Sequence, residues 1–311
     1  MPKLESQPFE SKLDRSNEQF QKNKSSMLSM LEEIDVLLDE AELGGGEHHK
    51  ERLAKRGKLP VRERVFHFLD PDSPFLEISG LAAFKSDYPV GGGAIAGIGV
   101  SAGIECIIFA NDPTVLAGAM HFYSVKKWMR AMQIARDSRL PFIQFVESAG
   151  GDLRPRSNAV VGGTTHFAES GRQFYEITEL SKLNIPTVTV TFGTATAGGA
   201  YQPGMSDYNI FVKDQADVAL AGPPLVQMAT GEISSREDIG GAKMHAEKSG
   251  LAEYLAEDDL DGIRIAREVM SHLNWDKEGT EPRFSIEEPI HDQEDLLGLI
   301  EPSLKTPFDI R

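Results

Sequence analysis

The sequence is poor in cysteine and lacks long hydrophobic runs, and each shortage excludes a class of protein. Its one cysteine, Cys106, lies in an apolar run at residues 104–110 of the 311-residue chain. A lone cysteine forms no internal disulfide, so we expect a reducing compartment and a buried strand thiol. No apolar stretch approaches the about 18 residues of a membrane-spanning helix, and no signal peptide is visible. We therefore expect a soluble, cytoplasmic protein.

Positive charge is also scarce. The chain has 32 lysines and arginines against 48 aspartates and glutamates, a formal net charge of -16. Phosphate backbones require a basic surface, so nucleic acid is not an expected partner. The histidines show no pair at the i, i+4 spacing with a nearby acid that a zinc helix needs, and one cysteine excludes a zinc ribbon. We expect no metal site.

What the sequence does contain is an alternation of helical and strand-like patterns. Apolar residues recur at helical spacing in residues 17–42, 61–68, 123–139, 166–183, 223–238 and 258–273. Strand-like runs occupy residues 75–78, 94–100, 105–109, 142–146, 187–192, 208–212 and 218–220, and Ser-Ala-Gly at 101–103 predicts a hairpin. This alternation predicts an α/β protein built from βα units around a largely buried sheet.

Composition divides the chain into three parts. Residues 1–24 are polar and predict a disordered or frayed tail. Residues 25–275 carry the periodic patterns and form the predicted domain. Residues 276–311 are acidic and rich in proline, which is typical of a linker. No internal repeat is visible.

Two predicted strands run into paired glycines where the chain should turn. Residues 142–148 lead into Ala-Gly-Gly-Asp at 149–152, and residues 187–193 lead into Ala-Thr-Ala-Gly-Gly-Ala-Tyr at 195–201, with a short helix expected near Gly198. Glycine accepts positive φ and lets a ligand approach the N–H groups. Two such donors ahead of helices would form an oxyanion hole, in which one donor typically contributes about 3–4 kcal/mol. Tight packing turns would use the same residues, so both interpretations stay open here.

The two turns, in this order, resemble the crotonase superfamily, and further motifs resemble its carboxyltransferase branch more closely. These motifs follow the order of the acyl-CoA carboxylase β subunit: Gly-Gly-Gly-Glu at 44–47, Arg-Gly-Lys-Leu-Pro-Val-Arg-Glu-Arg at 56–64, Leu-Asp-Pro-Asp-Ser-Pro-Phe-Leu-Glu at 69–77, Ala-Asn-Asp-Pro-Thr-Val at 110–115, Leu-Ala-Gly-Pro-Pro-Leu-Val at 220–226 and Ala-Thr-Gly-Glu at 229–232. The last two look most like methylcrotonyl-CoA or geranyl-CoA carboxylases. The resemblance covers roughly residues 25 to 275.

The resemblance implies a crotonase-like (ClpP/crotonase) spiral of ββα units with an N-terminal helical extension. It implies a carboxyl transfer from carboxybiotin to the α (or vinylogous γ) carbon of an acyl-CoA. Backbone amides of Gly150 or Gly151, and of Gly198 with Gly199, would hold the enolate and the biotin oxyanion. Biotin, carried on a separate carrier protein, would take the α-proton, so no side-chain base is required.

The resemblance also implies substrate contacts near these turns, at Ala149, Ala197, Ala200 and Tyr201. A basic cluster of Lys126, Lys127 and Arg130 lies on the predicted helix that neighbours the CoA site in this family. Contact with CoA phosphates and a solvated helix face both remain open for this cluster. Glu147 precedes the first turn, and we expect it to orient that turn.

The rival hydratase chemistry of the superfamily needs carboxylates for acid and base catalysis. One should follow the second glycine turn, where Ala200 and Tyr201 stand, and another should lie about twenty residues on, where the chain reads Gly-Pro-Pro-Leu at 222–225. Both are missing, which disfavours a hydratase.

Family β subunits carry two related halves, and this sequence matches the first. We therefore expect a separate C-terminal carboxyltransferase half, a biotin carboxyl carrier or biotin carboxylase subunit and homo-oligomers as partners, with no membrane. A split subunit, an excised domain and an inactive acyl-CoA-binding relic all remain open. So does a subunit of a biotin-dependent acyl-CoA decarboxylase.

Overall fold

In the computed structural model, which describes residues 11–152, 171–276 and 288–308, the strands form one eight-stranded sheet. The strands are β1 (Leu76–Glu77), β2 (Ala94–Ser101), β3 (Ile104–Asn111), β4 (Phe142–Ser148), β5 (Thr187–Thr196), β6 (Tyr208–Val212), β7 (Asp217–Ala219) and β8 (Tyr254–Ala256). They are ordered β1-β2-β3-β4-β5-β6-β8, with β7 paired to β5. The predicted α/β class is therefore confirmed.

Helices make up much of the rest of the described chain. The α-helices are α1 (Glu18–Leu43), α2 (Glu47–Ala54), α3 (Val61–Phe68), α4 (Phe122–Ser138), α5 (Arg172–Lys182), α6 (Tyr201–Gly204), α7 (Pro223–Thr230), α8 (Arg236–Gly240), α9 (Ala242–Met244), α10 (Asp259–His272) and α11 (Leu296–Leu299). Single turns of other helix types occupy Leu116–Gly118, Ala197–Ala200, His245–Ser249 and Gln293–Asp295. Among the described residues, no helix is long and apolar enough to cross a membrane.

The strand directions bring the two glycine turns to the same edge of the sheet. Strands β1, β2 and β3 are antiparallel, and the predicted hairpin is confirmed, with Ser101 paired to Ile104. From β3 through β4, β5 and β6 to β8 the pairs are parallel. Strands β4 and β5 are neighbours, and Ser148 at the end of β4 lies opposite Ala195. The chain segments that follow both strands therefore leave from adjacent points.

Hydrophobic clusters on both faces of the sheet explain the continuous apolar runs of its strands. On one face, Val65 of α3 and Ile263 of α10 pack with Ile108 of β3. On the other face, Trp128 of α4 packs with the next strand residue, Phe109. Successive residues of β3 thus alternate between the two clusters, as the two-residue period of a strand requires.

The chain divides into two units, Met1–Leu37 with Thr280–Arg311, and Leu38–Gly279. In the first unit, Asn23 Nδ2 donates a hydrogen bond to the Gly298 carbonyl oxygen at 3.1 Å. Arg15 pairs with Asp295 at 2.7 Å. The segment predicted as a linker thus includes a short helix, α11, that packs on α1. Helix α1 begins at Glu18, within one residue of the start of the helical pattern predicted at 17–42.

Local signals account for the other differences from prediction. The helix predicted at 223–238 is two helices, because Gly231 ends α7 in the left-handed conformation and Ser235 caps α8. Strand β5 continues to Thr196, and α2 and β8 were not predicted. The helix predicted at 166–183 is described as α5, and residues 166–170 lie outside the described residues.

Candidate active site

The first glycine turn follows β4 and requires glycine at Gly150. This residue has φ of 94°, which L side chains rarely adopt. A Cβ added to it would lie 2.9 Å from the carbonyl oxygen of Thr196, so the two turns are in direct contact. The Gly150 N–H donates to Ser148 Oγ at 3.2 Å and is therefore already engaged.

Backbone hydrogen bonds connect the segment 115–120 to this turn. Ala149 N–H donates to the Ala117 carbonyl at 3.1 Å, and Met120 N–H donates to the Gly150 carbonyl at 2.7 Å. Asp152 N–H donates a hydrogen bond to the Met120 carbonyl oxygen at 2.8 Å. These bonds fix the backbone on both sides of Gly151. Within the described residues no acceptor is bonded to the Gly151 N–H.

The second turn is the start of a helix. After Thr196 the chain forms the 3₁₀ turn Ala197–Ala200 and continues into α6. Positive φ falls on Ala197, at 53°, and not on the glycines of this turn, contrary to prediction. In a 3₁₀ helix the N–H groups of the first residues have no acceptor within the helix, and here these include that of Gly198. A Cβ on Gly198 would meet no atom of a described residue within 4 Å.

Both turns open into one cavity. Its volume is about 260 Å³, and the described residues that line it are Met120, Val125, Trp128, Gly150, Gly151, Gly171, Gln173, Phe174, Gly198, Gly199 and Gln202. Its inner wall is formed by buried side chains, with Trp128 1% and Gln202 0% exposed. Gly151 is exposed and Gly198 half-buried, so the glycines lie towards the mouth. No described lining residue is charged.

The four predicted glycines are therefore brought together, and the predicted neighbours lie around them. Ala149 and Ala197 are exposed beside the cavity mouth, whereas Ala200 is buried. The Tyr201 ring packs against Phe174, a lining residue, with ring centroids 4.5 Å apart. None of these four side chains lines the described part of the cavity itself.

The basic cluster on α4 does not act as one group. Lys127 is buried, and its ammonium donates to the carbonyl oxygens of Ala94 at 2.7 Å and Gly91 at 3.3 Å. Burial lowers the pKa of Lys127 to about 8. These contacts contradict the expectation that Lys127 meets CoA phosphates. Lys126 and Arg130 are exposed. The Lys126 ammonium lies over the Phe122 ring, and Arg130 donates a hydrogen bond to Gln133.

Glu147, just before the first turn, is held in a buried charged cluster. Its carboxylate contacts Lys58 Nζ at 2.5 Å and Arg64 Nη2 at 3.0 Å. Arg64 Nε also contacts Asp259 Oδ2 at 2.9 Å, and burial raises the pKa of Asp259. Lys58 further donates to the Phe192 carbonyl on β5 at 2.8 Å. The cluster ties the end of β4 to β5, and the orientation of the turn by Glu147 stays a prediction.

The structure also assigns a structural place to His245. Its two ring nitrogens lie 2.8 Å from the Val218 carbonyl oxygen and 2.7 Å from Ser249 Oγ. No group of three or more histidine, cysteine, aspartate or glutamate side chains among the described residues could hold a metal ion.

Sequence reasoning missed the side chains of the inner wall, chiefly Met120, Trp128 and Gln202. Val125 and Trp128 lie three residues apart on α4, so a common helix face could have been inferred. Gln202 gave no such signal, because a glutamine between Tyr201 and a proline is ordinarily assigned to the surface.

Comparison with known proteins shows which chains share this arrangement. Residues 52–311 match the family model described as the carboxyl transferase domain. The chain is 46% identical over 303 residues to a probable biotin-dependent acyl-coenzyme A carboxylase beta2 subunit of Mycobacterium tuberculosis, covering 97% of this chain and 56% of the relative. It is 40% identical over 302 residues to the mitochondrial methylcrotonoyl-CoA carboxylase beta chain of Dictyostelium discoideum, covering 96% and 51%.

Among solved structures, the geranyl-CoA carboxylase beta subunit of P. aeruginosa superposes with a TM-score of 0.84. The two sequences are 40% identical, and the match covers 97% of this chain and 56% of that subunit. The likeness confirms the predicted crotonase-like fold with its N-terminal helix. The chain spans about half the length of the curated relatives it matches.

Proposed function

Because this chain belongs to the carboxyl transferase domain family, we propose that it is the acyl-CoA-binding part of a biotin-dependent acyl-CoA carboxylase. In this proposal the chain helps to transfer a carboxyl group to the α (or vinylogous γ) carbon of an acyl thioester. The observation that carries the proposal is the single cavity into which Gly151 and Gly198 open.

The chemistry follows from what lines that cavity. Loss of the α-proton places negative charge on the thioester oxygen. The N–H groups of Gly151 and Gly198 are donors fixed before the reaction, so they stabilise that charge without reorganisation. Gly150 and Gly199 shape the turns, since the Gly150 N–H is engaged by Ser148 and Gly199 belongs to the 3₁₀ turn.

Acid–base catalysis by this chain is disfavoured. The cavity lining contains no aspartate, glutamate, histidine or lysine among the described residues. Glu147, the nearest carboxylate along β4, is neutralised by Lys58 and Arg64. Biotin, if bound here, would supply the carboxyl group and could take up the α-proton, and the backbone N–H groups of Gly151 and Gly198 would be the donors for its polar ring.

The substrate and partners follow from the same premise. The acyl group enters between the turns, beside Ala149 and Ala197, and the exposed Lys126 and Arg130 on α4 remain candidates for the CoA phosphates. A biotin carrier with its carboxylase, a second carboxyltransferase half and other copies of the chain complete the proposed enzyme. Buried Cys106, a free thiol, suits the reducing cytoplasm.

A reconstitution assay tests this function. The chain is produced with and without the protein that forms the second carboxyltransferase half. The malonyl-CoA-dependent carboxylation of free biotin is then measured for both samples. We expect transfer from the pair and negligible transfer from the chain alone, although the chain alone binds CoA. Robust activity from the lone chain would refute the need for a second half. No transfer and no CoA binding in either sample would refute the function itself.

A further inference from the structure

Gln202 is a buried residue of the cavity lining, and its carboxamide has no partner among the described residues. The residue is 0% exposed and lines the cavity. Among the described residues, neither Nε2 nor Oε1 has a hydrogen-bond partner. This holds whichever of the two positions is taken as the nitrogen. Its backbone, by contrast, is held, because the Gln202 carbonyl accepts from Ser206 Oγ at 2.8 Å.

A second buried glutamine shows that the fold can satisfy such a side chain. Gln144 on β4 is also 0% exposed. Its Oε1 accepts from Trp128 Nε1 at 3.0 Å, and its Nε2 donates to Thr189 Oγ1 at 3.2 Å. A buried polar group without a partner is costly and requires a reason. The difference between the two glutamines indicates that Gln202 is reserved for a ligand.

The position of Gln202 identifies the part of the ligand that reaches it. The N–H groups of Gly151 and Gly198 lie towards the mouth and would hold the thioester oxygen. In the proposed complex the acyl chain would extend from there along Met120 and Trp128 towards Gln202, which line the same cavity. In this arrangement Gln202 contacts the part of the acyl chain that lies beyond the thioester.

We infer that the substrate is an acyl-CoA whose acyl chain carries a hydroxyl group, and that Gln202 binds this hydroxyl. A hydroxyl accepts a hydrogen bond from Nε2 and donates one to Oε1, so it satisfies both unpartnered atoms. A carboxylate accepts only, and a hydrocarbon chain satisfies neither atom. This inference rests on the proposed function and specifies its substrate class.

A site built to bond a substrate hydroxyl rejects the analogue that lacks it, because its own polar groups are then left buried and unpaired. Isothermal titration of the full chain with butyryl-CoA, 3-hydroxybutyryl-CoA and 4-hydroxybutyryl-CoA measures this selectivity. We expect at least one hydroxyacyl-CoA to bind about tenfold or more tightly than butyryl-CoA. In Gln202→Leu and Gln202→Met the preference should disappear. It should persist in Gln227→Leu, a control at an exposed glutamine of α7 that does not line the cavity.

The melting temperature gives a second readout that needs no ligand. Removing an unsatisfied buried amide should leave Gln202→Met at least as stable as the native chain and raise its melting temperature by about 2–4 °C. A clear fall would show that the carboxamide serves the fold and would overturn the inference. Equal binding of butyryl-CoA and both hydroxyacyl-CoAs would also overturn it while leaving the proposed function intact. If no thioester binds, both fail.

Discussion

The two glycine turns open into the same cavity, yet the fold supports them in different ways. The first turn is enclosed: Gly150 touches the Thr196 backbone, and the segment 115–120 is bonded to both of its sides. The second turn is open, since a Cβ added at Gly198 would meet no atom of a described residue within 4 Å. Its N–H has no acceptor within the 3₁₀ turn because the helix begins there.

This difference separates two reasons for glycine at a site. At Gly118 and Gly150 glycine is required by positive φ and by backbone contacts, so a substitution should damage the fold. At Gly198 neither applies, so any damage should appear in binding or transfer of substrate alone. Stability and activity should therefore respond separately at the two turns.

The largest effect on stability is expected from Glu147→Gln. Glu147 is the partner of Lys58 and Arg64, whose side chains are 9% and 1% exposed, so its loss leaves buried positive charge uncompensated. We expect a loss of about 3–5 kcal/mol in the free energy of unfolding, measured by denaturant titration. The control is Glu257→Gln, at a carboxylate 72% exposed, which should change it by less than about 1 kcal/mol. Equal effects would show that Glu147 does not compensate the buried charges of Lys58 and Arg64.

A somewhat smaller loss is expected from Gly118→Ala. The added methyl would overlap the Glu147 carbonyl oxygen, and φ at Gly118 is 69°. Overpacking and left-handed strain together should cost about 2–4 kcal/mol. The matched variant Gly198→Ala should change the free energy of unfolding by less than about 1 kcal/mol. If Gly198→Ala is the more damaging of the two, the contrast between the turns is wrong.

The smallest effect concerns the helix behind the cavity and depends on pH. Burial lowers the pKa of Lys127 to about 8, so between that pH and its ordinary value of 10.5 the unfolded chain binds more protons than the folded chain. Lys127 therefore makes stability rise with pH across this window, by about 2 kcal/mol from about pH 8 to about pH 10.

Comparison with Lys127→Met isolates this contribution. Cys106 acts in the opposite direction, since burial raises its pKa, but it is present in both proteins and cancels in the difference. The stability difference between the two proteins should grow in favour of native protein as pH rises through the window. A difference that stays constant would show that Lys127 is not titrating in the folded state.

The fold was largely predictable because its strands and helices have strong, separate periods. Strand β6 was predicted at its observed bounds, and α4 within one residue at each end. The helix α2 was not predicted, because its eight residues are mostly polar and contain a single buried side chain, Leu53. Strand β8, three residues long, is likewise too short to show an alternation.

The site was predictable where its chemistry lies in the backbone and poorly predictable where it depends on packing. The paired glycines follow strands and are visible in the sequence, and the structure brings them together. The bracing loop at Leu116–Gly118, where even Leu116 and Ala117 have positive φ, left no sequence signal. Lys127 and Arg130 are only three residues apart on α4, yet one is buried and the other exposed.

In the proposed reaction the Gly198 N–H stabilises the reacting anion, and two variants at this residue separate that role from a packing role. Gly198→Ala keeps the N–H, whereas Gly198→Pro removes it and distorts the turn. With the reconstituted enzyme, Gly198→Pro should lower kcat of carboxyl transfer by about 10²–10³-fold while CoA affinity is largely kept, and Gly198→Ala should retain most of the transfer. Unchanged transfer in Gly198→Pro would contradict the account.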